Sequence, residues 1–350
     1  MKKLKFALIG CGRISKRHIN VIREIEEAEL VAVCDIDQER VNQTCKEVNV
    51  PGFTDMHEMM KNVETDVVCI LTPSGYHGEH TVELAHYGKH IIIEKPMALT
   101  LDDADRMIEA CSENGIKLFV VKQNRFNRPV LKLREAIDNN RFGKMVLGTV
   151  RVRWCRTEEY YDLDPWRGTW ALDGGVLANQ SIHHIDLLQW CMGEVTSVFA
   201  KSATALSKNI EVEDTAVVVL KFRNGALGII EATTATRPKD LEGSISILGE
   251  KGTVEIAGFA VNELKTWNFA DSEEEDLGKY SSNPPNVYGF GHLAYYKHII
   301  QCITSNKKQL IDGLEGRKSL ELISAIYESI ETGKEVFLRF NPKKCKLGHK

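Results

Sequence analysis

The chain has 350 residues, of which 43% are hydrophobic and 27% are charged, and its formal net charge is −4. This length suits two domains, each large enough to bury its own core. The charge provides no basic surface for nucleic acid or an anionic membrane, so neither is a predicted partner. The nine cysteines include no C-x-x-C pair, and no apolar run approaches the length of a membrane span. These features predict a cytoplasmic protein without a disulfide framework or a metal site.

The first third of the chain alternates short apolar runs with amphipathic segments. The apolar runs cover residues 6–9, 30–34, 67–71, 91–93 and 118–121. Such continuous runs are typical of strands buried on both faces of a parallel sheet. Helices are predicted between them, one from the spacing of apolar residues over 14–25 and another starting at Thr100, which resembles a capping residue. The alternation predicts a doubly wound α/β domain over residues 1–122.

A glycine-rich turn follows the first predicted strand and opens the first predicted helix. Gly10 and Gly12 allow a tight turn and a close backbone approach, and Arg13 and Ile14 lead into the helix. The helix N-terminus suits a pyrophosphate group. Ser15 replaces the third glycine of the full dinucleotide-binding fingerprint, so a purely structural turn is the competing interpretation.

Asp35 ends the second predicted strand, where a carboxylate accepts hydrogen bonds from ribose hydroxyls and disfavours a 2′-phosphate. The segment therefore predicts a Rossmann domain that binds NAD rather than NADP, with a helix N-cap as the alternative role for Asp35. Thr72, Pro73, Ser74 and His77 follow the strand at 67–71, and loops at the carboxyl ends of strands line the ligand crevice of this fold. A plain Pro-Ser-Gly turn is the alternative there.

The apolar strand at 90–93 runs directly into Glu94, Lys95 and Pro96. Lysine rarely ends a buried run unless its ammonium group has a specific partner. Proline stops the strand and biases Lys95 towards an extended backbone, so the Lys95 side chain is expected to take a defined direction. Beside a nicotinamide, such a lysine is predicted to hold the oxygen of a reacting alcohol or ketone and to stabilise its developing negative charge.

From about residue 144 the pattern changes to strands with little helical interruption. Strands are predicted at 145–154, 195–206, 216–222, 226–235, 243–248, 253–257 and 335–340. Asn224 and Gly225 form a tight-hairpin signal between two of them. Helices are predicted at 173–192, 292–304 and 319–332. Residues 123–350 are therefore predicted to form a substrate-binding and oligomerisation domain, an open and mostly antiparallel sheet covered by helices on one face.

Within that half, Asn179, His183 and Asp186 are spaced at i, i+4 and i+7, which predicts one polar helix face. A hydrogen-bonded core histidine is the ordinary alternative. The coincidence of an amide, a carboxylate and two histidines favours a functional site. His184 points about 100° away from His183, so the two do not chelate a metal easily.

Taken together, these motifs resemble the Gfo/Idh/MocA oxidoreductases over essentially the whole chain. The motifs that carry the resemblance are Gly10-Cys11-Gly12, Asp35, Thr72-Pro73, Glu94-Lys95-Pro96 and Asn179-x-x-x-His183-x-x-Asp186. The resemblance implies an NAD-binding Rossmann domain followed by an open sheet that commonly forms the oligomer interface, here a homotetramer. In the wider family an aspartate precedes the catalytic histidine by four residues, whereas this chain has Asn179.

Further segments resemble one branch of the family, the UDP-N-acetyl-2-amino-2-deoxyglucuronate 3-dehydrogenases. These segments are residues 121–127, 166–170, 179–180, 210–215, 241–245 and 286–292. The branch implies NAD-dependent oxidation of the 3-hydroxyl of UDP-N-acetylglucosaminuronic acid for bacterial surface polysaccharides, with NADH recycled by 2-oxoglutarate. Another sugar or cyclitol dehydrogenase of the family and a non-catalytic NAD- and sugar-binding regulator are the alternatives.

The resemblance also implies roles for individual residues. His183 would be the general base, Lys95 would bind the reacting oxygen, and Asn179 would orient the sugar. The implied cofactor contacts are Gly10, Gly12, Arg13, Ile14, Asp35, Thr72, Pro73, Ser74, His77, Glu94, Lys95, Gln123, Trp166 and Arg167. The implied substrate contacts are Lys95, Arg167, Asn179, His183 and Tyr288.

Overall fold

The computed structural model describes residues 3–270, 276–282, 284, 287, 289–338 and 346–347. The chain divides into two compact units, Met1–Val121 with His292–Arg317, and Lys122–Gly291 with Lys318–Lys350. The sequence-based division at 122/123 did not anticipate that residues 292–317 join the first unit. They do so because buried tyrosines in this segment pack into that unit, as Tyr296 does against Phe6 at 5.7 Å between ring centroids.

The first unit is built on a parallel six-stranded sheet. Its strands are β1 (Leu4–Ile9), β2 (Ala28–Cys34), β3 (Gly52–Phe53), β4 (Val67–Ile70), β5 (His90–Ile93) and β6 (Leu118–Val120). They pair in the order β3-β2-β1-β4-β5-β6. All of β4 and β6 is buried, as expected for strands covered on both faces. The prediction of a doubly wound parallel sheet is confirmed.

Helices connect these strands, and further helices belong to the second unit. In the described residues the α-helices are α1 (Ser15–Glu24), α2 (Gln38–Val48), α3 (Met56–Asn62), α4 (His77–Ala85), α5 (Leu101–Glu113), α6 (Arg128–Asp138), α7 (Glu158–Tyr161), α8 (Ile182–Met192), α9 (Gly291–Thr304) and α10 (Gly313–Thr332). The Thr100 hydroxyl caps α5 by accepting from the Asp103 N–H at 3.1 Å, which confirms the predicted start of this helix. None of the helices in these described ranges is long and apolar enough to span a bilayer.

The second unit is built on a mixed, mostly antiparallel sheet. Its strands are β7 (Met145–Arg153), β8 (Val195–Ala203), β9 (Thr215–Phe222), β10 (Leu227–Thr233), β11 (Glu242–Gly249), β12 (Gly252–Ala257), β13 (Glu263–Phe269) and β14 (Val336–Phe337). The order is β13-β12-β11-β7-β10-β9-β8-β14, with β7 and β10 parallel. Gly225 takes a φ of +89° in the predicted β9–β10 hairpin. The open, mostly antiparallel sheet is therefore confirmed.

One face of this sheet is covered by α8. A Cβ at Gly148 on β7 would lie 2.7 Å from both Leu188 and Met192 of that helix, so the glycine permits close packing. On the strands β9 and β10, alternate side chains such as Val217, Val219 and Ile229 are exposed by 37–52%. The sheet thus has a helix-covered face and an exposed face that is partly apolar.

Two predicted helix limits differ from the structure. The segment predicted as one helix over 173–192 is α-helical only from Ile182, because residues Val176–Gln180 form a π-helical turn. The helix predicted from 319 begins at Gly313. Residues 339 and 340 of the predicted last strand lie outside the described part of the chain.

A buried cluster of charged residues connects the segment at 122–125 to α8. Asp186 on α8 contacts the ammonium of Lys122, and its carboxylate accepts from Arg125 Nε and Nη2 at 2.7 and 2.8 Å. Lys122 also donates to the Ser319 hydroxyl at 2.8 Å. Burial alone would raise the pKa of Asp186, but the charges of Arg125 and Lys122 hold it well below its usual range.

Removing this charge is expected to destabilise the second unit. Asp186→Asn leaves two buried cations without their anion, so we expect a loss of about 3 to 5 kcal/mol in the free energy of unfolding. Asp138→Asn is the control, because Asp138 forms an exposed (i, i+4) pair with Arg134 in the same unit and should change stability by less than about 1 kcal/mol. Urea denaturation of the two variants measures the difference, and equal midpoints would contradict the structural role of Asp186.

Candidate functional site

The glycine-rich turn of the first unit connects β1 to α1. Gly10 has a φ of +104°, and a Cβ there would lie 2.7 Å from the backbone oxygen of Leu71. A Cβ at Gly12 would meet open space, so the backbone at this position is accessible to a ligand. The Ser15 hydroxyl donates to the Gly12 carbonyl at 2.6 Å. The serine that replaces the third glycine therefore tightens the turn at the start of α1.

Asp35 lies beside this turn, at the end of β2. Its Oδ2 accepts from the Cys11 N–H at 2.7 Å, and its Oδ1 accepts from the Asp37 N–H at 2.9 Å. The N-cap of α2 is Asp37, whose carboxylate accepts from two backbone N–H groups, so the alternative role of Asp35 as the helix cap is wrong. The next residue, Ile36, is 94% exposed, which is unusual for an isoleucine beside a polar turn. Sequence reasoning did not single it out.

The loops after β4 and β5 are joined through a buried histidine. His77 Nδ1 lies 2.8 Å from the Pro96 carbonyl, and its Nε2 lies 2.9 Å from the Thr72 carbonyl. Burial lowers the pKa of this imidazole. Ser74 is buried in the short 3₁₀ turn before α4, whereas Pro73 and Thr72 are half-buried. His77 thus acts as a structural link between the two loops.

Lys95 is half-buried, and it follows Glu94, whose two carboxylate oxygens both have hydrogen-bond partners. Glu94 Oε2 accepts from the Lys95 N–H at 2.9 Å, and Glu94 Oε1 lies 2.9 Å from His18 Nε2. Burial alone would raise the pKa of Glu94, but the hydrogen bond with His18 and the neighbouring positive charges lower it to about 2. Ligand atoms of His18, Glu94 and His292 lie within 4.8 Å of one another. Since both His18 nitrogens have hydrogen-bond partners, we interpret this cluster as a hydrogen-bonded network.

In the second unit, His183 lies near the start of α8 and is paired with Gln123. The Gln123 Nε2 lies 3.1 Å from His183 Nε2, and both side chains are buried. The adjacent His184 packs edge-on against Trp154 at 5.6 Å, and burial lowers its pKa to about 4. The two neighbouring histidines therefore have different surroundings, and His184 is part of the core.

Asn179 lies in the π-helical turn before α8, so it is not part of the α-helix that carries His183 and Asp186, contrary to the prediction of one continuous helix. Its amide donates to Asp173, whose other oxygen accepts from the Gly168 N–H at 2.8 Å. Its Oδ1 accepts from Gln180 Nε2 at 2.9 Å. A buried carboxylate is therefore in direct contact with Asn179, a partner that sequence reasoning missed.

Glu213 is hydrogen-bonded to the backbone of the π-helical turn. Its carboxylate accepts from the Leu177 N–H at 3.0 Å and from the Tyr327 hydroxyl at 2.9 Å. Burial raises the pKa of Glu213 to about 7. A side chain at Gly175 would overlap this carboxyl group, so the glycine is required for the contact.

Arg167 and Trp166 extend the Asn179 cluster. The Arg167 guanidinium lies 4.6 Å from the ring centroids of both Trp166 and Tyr160 and donates to the Tyr160 hydroxyl at 2.7 Å. Gln180 donates to the same hydroxyl at 2.9 Å. Tyr160 and Gln180 therefore connect the predicted substrate residues Arg167 and Asn179. Tyr288, also predicted to contact substrate, lies outside the described residues.

The first unit fits a dinucleotide. The open backbone at Gly12 and the N-terminus of α1, which has no acidic residue in its first turn, suit a pyrophosphate. Asp35 supplies a carboxylate for ribose hydroxyls at the same edge of the sheet. Arg13 is exposed and Ile14 half-buried at the start of the helix. These residues would hold the cofactor.

Comparisons with known proteins agree with this geometry. A model of the oxidoreductase family's NAD-binding Rossmann fold matches residues 4–122, and a model of the C-terminal alpha/beta domain of the same family, Gfo/Idh/MocA, matches residues 134–338. Myo-inositol 2-dehydrogenase from Thermotoga maritima is 30% identical over 96% of this chain and 98% of its own length.

Two solved structures are more similar in sequence. The WlbA dehydrogenase from Bordetella pertussis, in complex with NADH and UDP-GlcNAcA, is 42% identical, with a TM-score of 0.94 over 97% of this chain and 99% of that chain. The WlbA dehydrogenase from Chromobacterium violaceum, in complex with the same two molecules, is 42% identical, with a TM-score of 0.92 over 97% of each chain. The chain belongs to the Gfo/Idh/MocA oxidoreductase family and carries its NAD-binding Rossmann domain.

Proposed function

We propose that the protein oxidises the 3-hydroxyl of UDP-N-acetylglucosaminuronic acid to the 3-keto sugar nucleotide, with NAD⁺ as the oxidant. The observation that carries this proposal is the 42% identity, over nearly the full length of both chains, to dehydrogenases solved with NADH and UDP-GlcNAcA. The segments that resemble the UDP-sugar branch of the family support the same substrate.

His183 is the proposed general base and takes the proton of the 3-hydroxyl on its imidazole ring, which Gln123 contacts at 3.1 Å. Lys95 donates a hydrogen bond to the same oxygen and stabilises its negative charge as the C–H bond breaks. NAD⁺, when bound, would supply the acceptor for the hydride from C3. The products are the 3-ketone, a protonated His183 and NADH, so atoms and charge balance.

The remaining proposed contacts orient the two ligands. Asn179 positions the sugar ring, and its hydrogen bond with Asp173 fixes the direction of its amide. Arg167 offers a guanidinium to a carboxylate or phosphate group, and Trp166 borders substrate and nicotinamide. Tyr288 is a further proposed substrate contact.

Cofactor binding is assigned to the loops of the first unit. The proposed contacts are Gly10, Gly12, Arg13, Ile14, Asp35, Thr72, Pro73, Ser74, His77, Glu94 and Lys95. Gln123, Trp166 and Arg167 are proposed from the second unit. The exposed Ile36 next to Asp35 offers an apolar surface to the adenine ring. Because Glu94, Ser74 and His77 are buried, any cofactor contact from these three would be made largely through the backbone.

The recycling of NADH, the cellular location and the oligomeric state are also proposed. NADH is recycled by 2-oxoglutarate, as the branch resemblance implies, in the cytoplasm. A homotetramer forms through the exposed sheet face, where Phe199, Val217, Val219, Leu227 and Ile229 are 37–52% exposed. A contiguous apolar surface of this kind favours association.

A cyclitol dehydrogenase is the second candidate, because the myo-inositol enzyme of Thermotoga maritima aligns over nearly the whole chain. A non-catalytic NAD- and sugar-binding regulator would be expected to lack the lysine or the histidine. Lys95 and His183 are both present, which disfavours that alternative.

Substrate choice is tested by absorbance at the reduced-nicotinamide band with purified protein and NAD⁺. UDP-N-acetylglucosaminuronic acid is expected to give a rise in absorbance, or turnover that requires 2-oxoglutarate. Myo-inositol and free N-acetylglucosaminuronic acid are the comparison substrates and should react far more slowly. Faster oxidation of myo-inositol than of the UDP-sugar would contradict the proposal.

The two catalytic assignments are tested by Lys95→Ala and His183→Ala. Each should lower kcat by about 10²- to 10⁴-fold, because each removes a group that acts on the reacting oxygen. NAD⁺ binding, measured by calorimetry, should persist in both variants. His184→Gln is the matched control, since it alters the neighbouring buried histidine and should leave kcat within about threefold of wild type in any protein that folds. Near-wild-type turnover by either alanine variant would refute the assignment.

A further inference from the structure

A buried chain of hydrogen bonds in the first unit leads to Lys95, and the proposed reaction assigns no role to two of its members, His18 and Tyr296. Tyr296 Oη on α9 lies 2.5 Å from His18 Nδ1 on α1. His18 Nε2 lies 2.9 Å from Glu94 Oε1, and Glu94 Oε2 accepts from the Lys95 N–H at 2.9 Å. His18 and Tyr296 are fully buried, and Glu94 is 6% exposed. The chain therefore connects three elements of one unit to the backbone of the proposed oxyanion-binding lysine.

The proton positions along this chain follow from the chemistry of its members. Burial raises the pKa of Tyr296 well above its usual range, so its hydroxyl keeps its proton and can donate to His18 Nδ1. His18 Nε2 lies 2.9 Å from the Glu94 carboxylate, and because an ionised carboxylate can only accept, the imidazole donates this hydrogen bond. The Glu94 carboxylate stays ionised, since its pKa is about 2. The chain thus ends in a fixed negative charge adjacent to Lys95.

Several groups face the Glu94 carboxylate from the elements that pack around it. They are His18 on α1, Cys69 on β4, His77 on α4, Lys95 after β5, and His292, Tyr295 and Tyr296 on α9. Burial raises the pKa of Cys69 to about 12 and that of Tyr295 well above its usual range, so both are neutral near pH 7. Lys95 is the ammonium group in this set, and the carboxylate next to it favours its protonated form.

We propose that Glu94 is a positioning residue for Lys95 and that His18 and Tyr296 hold Glu94 in place from behind. This inference rests on the proposed function, because it takes Lys95 as the donor to the reacting oxygen. Glu94 fixes the Lys95 backbone through its N–H, and its negative charge attracts the Lys95 ammonium group. Both effects preorganise the hydrogen bond that the developing alkoxide needs.

Glu94→Gln tests the proposal, because glutamine keeps the shape of the side chain and removes its charge. We expect kcat to fall by about 10- to 100-fold while the KM of the UDP-sugar and the Kd of NAD⁺ change little, since only the alignment of a catalytic group is lost. The alkaline limb of the kcat–pH profile should move to lower pH, because the carboxylate no longer favours the protonated ammonium. His18→Gln should shift the same limb less.

Cys69→Ala is the matched control. The Cys69 thiol lies 3.4 Å from the Tyr296 hydroxyl in the same buried cluster, so the variant perturbs packing without removing a hydrogen bond to Glu94 or His18. It should keep the wild-type kcat and pH profile.

A Glu94→Gln enzyme with unchanged kcat and an unmoved alkaline limb would overturn the positioning role, whatever its thermal stability. If this variant does not bind NAD⁺, His18→Gln decides by the same readouts, and an unmoved limb there overturns the role as well. The two proposals fail separately. An active Lys95→Ala enzyme would refute the mechanism, whereas an inactive Lys95→Ala enzyme with a fully active Glu94→Gln enzyme would refute only the positioning role.

Discussion

The histidine site of the second unit depends on the buried ion pairs that the Asp186 carboxylate makes with Lys122 and Arg125. The carboxylate binds Lys122, one residue before Gln123, and Arg125, two residues after it, and Asp186 lies on the same helix as His183. Because the two cations cannot remain buried without their anion, the segment that carries Gln123 is fixed against α8. The 3.1 Å contact between Gln123 and His183 follows from this attachment.

In the first unit, a parallel sheet positions the predicted site residues. Parallel strands end at one edge, so the turn after β1, the carboxylate after β2 and the lysine after β5 all lie at the same edge of the sheet. The lysine receives additional support from Glu94, whose charge is buried and hydrogen-bonded on both oxygens. In each unit a buried carboxylate therefore holds a segment next to a proposed site residue: Glu94 binds the Lys95 N–H, and Asp186 binds the segment that carries Gln123.

Sequence patterns predicted those features that depend on local periodicity and turn chemistry. Continuous apolar runs predicted five of the six strands of the first sheet, and they missed β3, which has only two residues. The Asn224-Gly225 pair predicted the hairpin of the second sheet. The partners of Glu94 and Asp186 could not be predicted, because His18 lies 76 residues from Glu94 and Lys122 lies 64 residues from Asp186. The π-helical turn before α8 also escaped prediction, since helical spacing alone does not distinguish it from an α-helix. The sequence also could not show that Tyr295 and Tyr296 of α9 are buried in the first unit, because the helix follows the second unit along the chain.

The proposed function requires that hydride leaves C3 of a UDP-linked sugar acid. It is tested most directly with UDP-N-acetylglucosaminuronic acid that carries deuterium at C3, in a single turnover with NAD⁺ and without 2-oxoglutarate. The nicotinamide product, released by denaturation, is analysed by mass spectrometry. The account predicts NADH that contains one deuterium. NADH formed without deuterium would show that another carbon is oxidised and would contradict the claim.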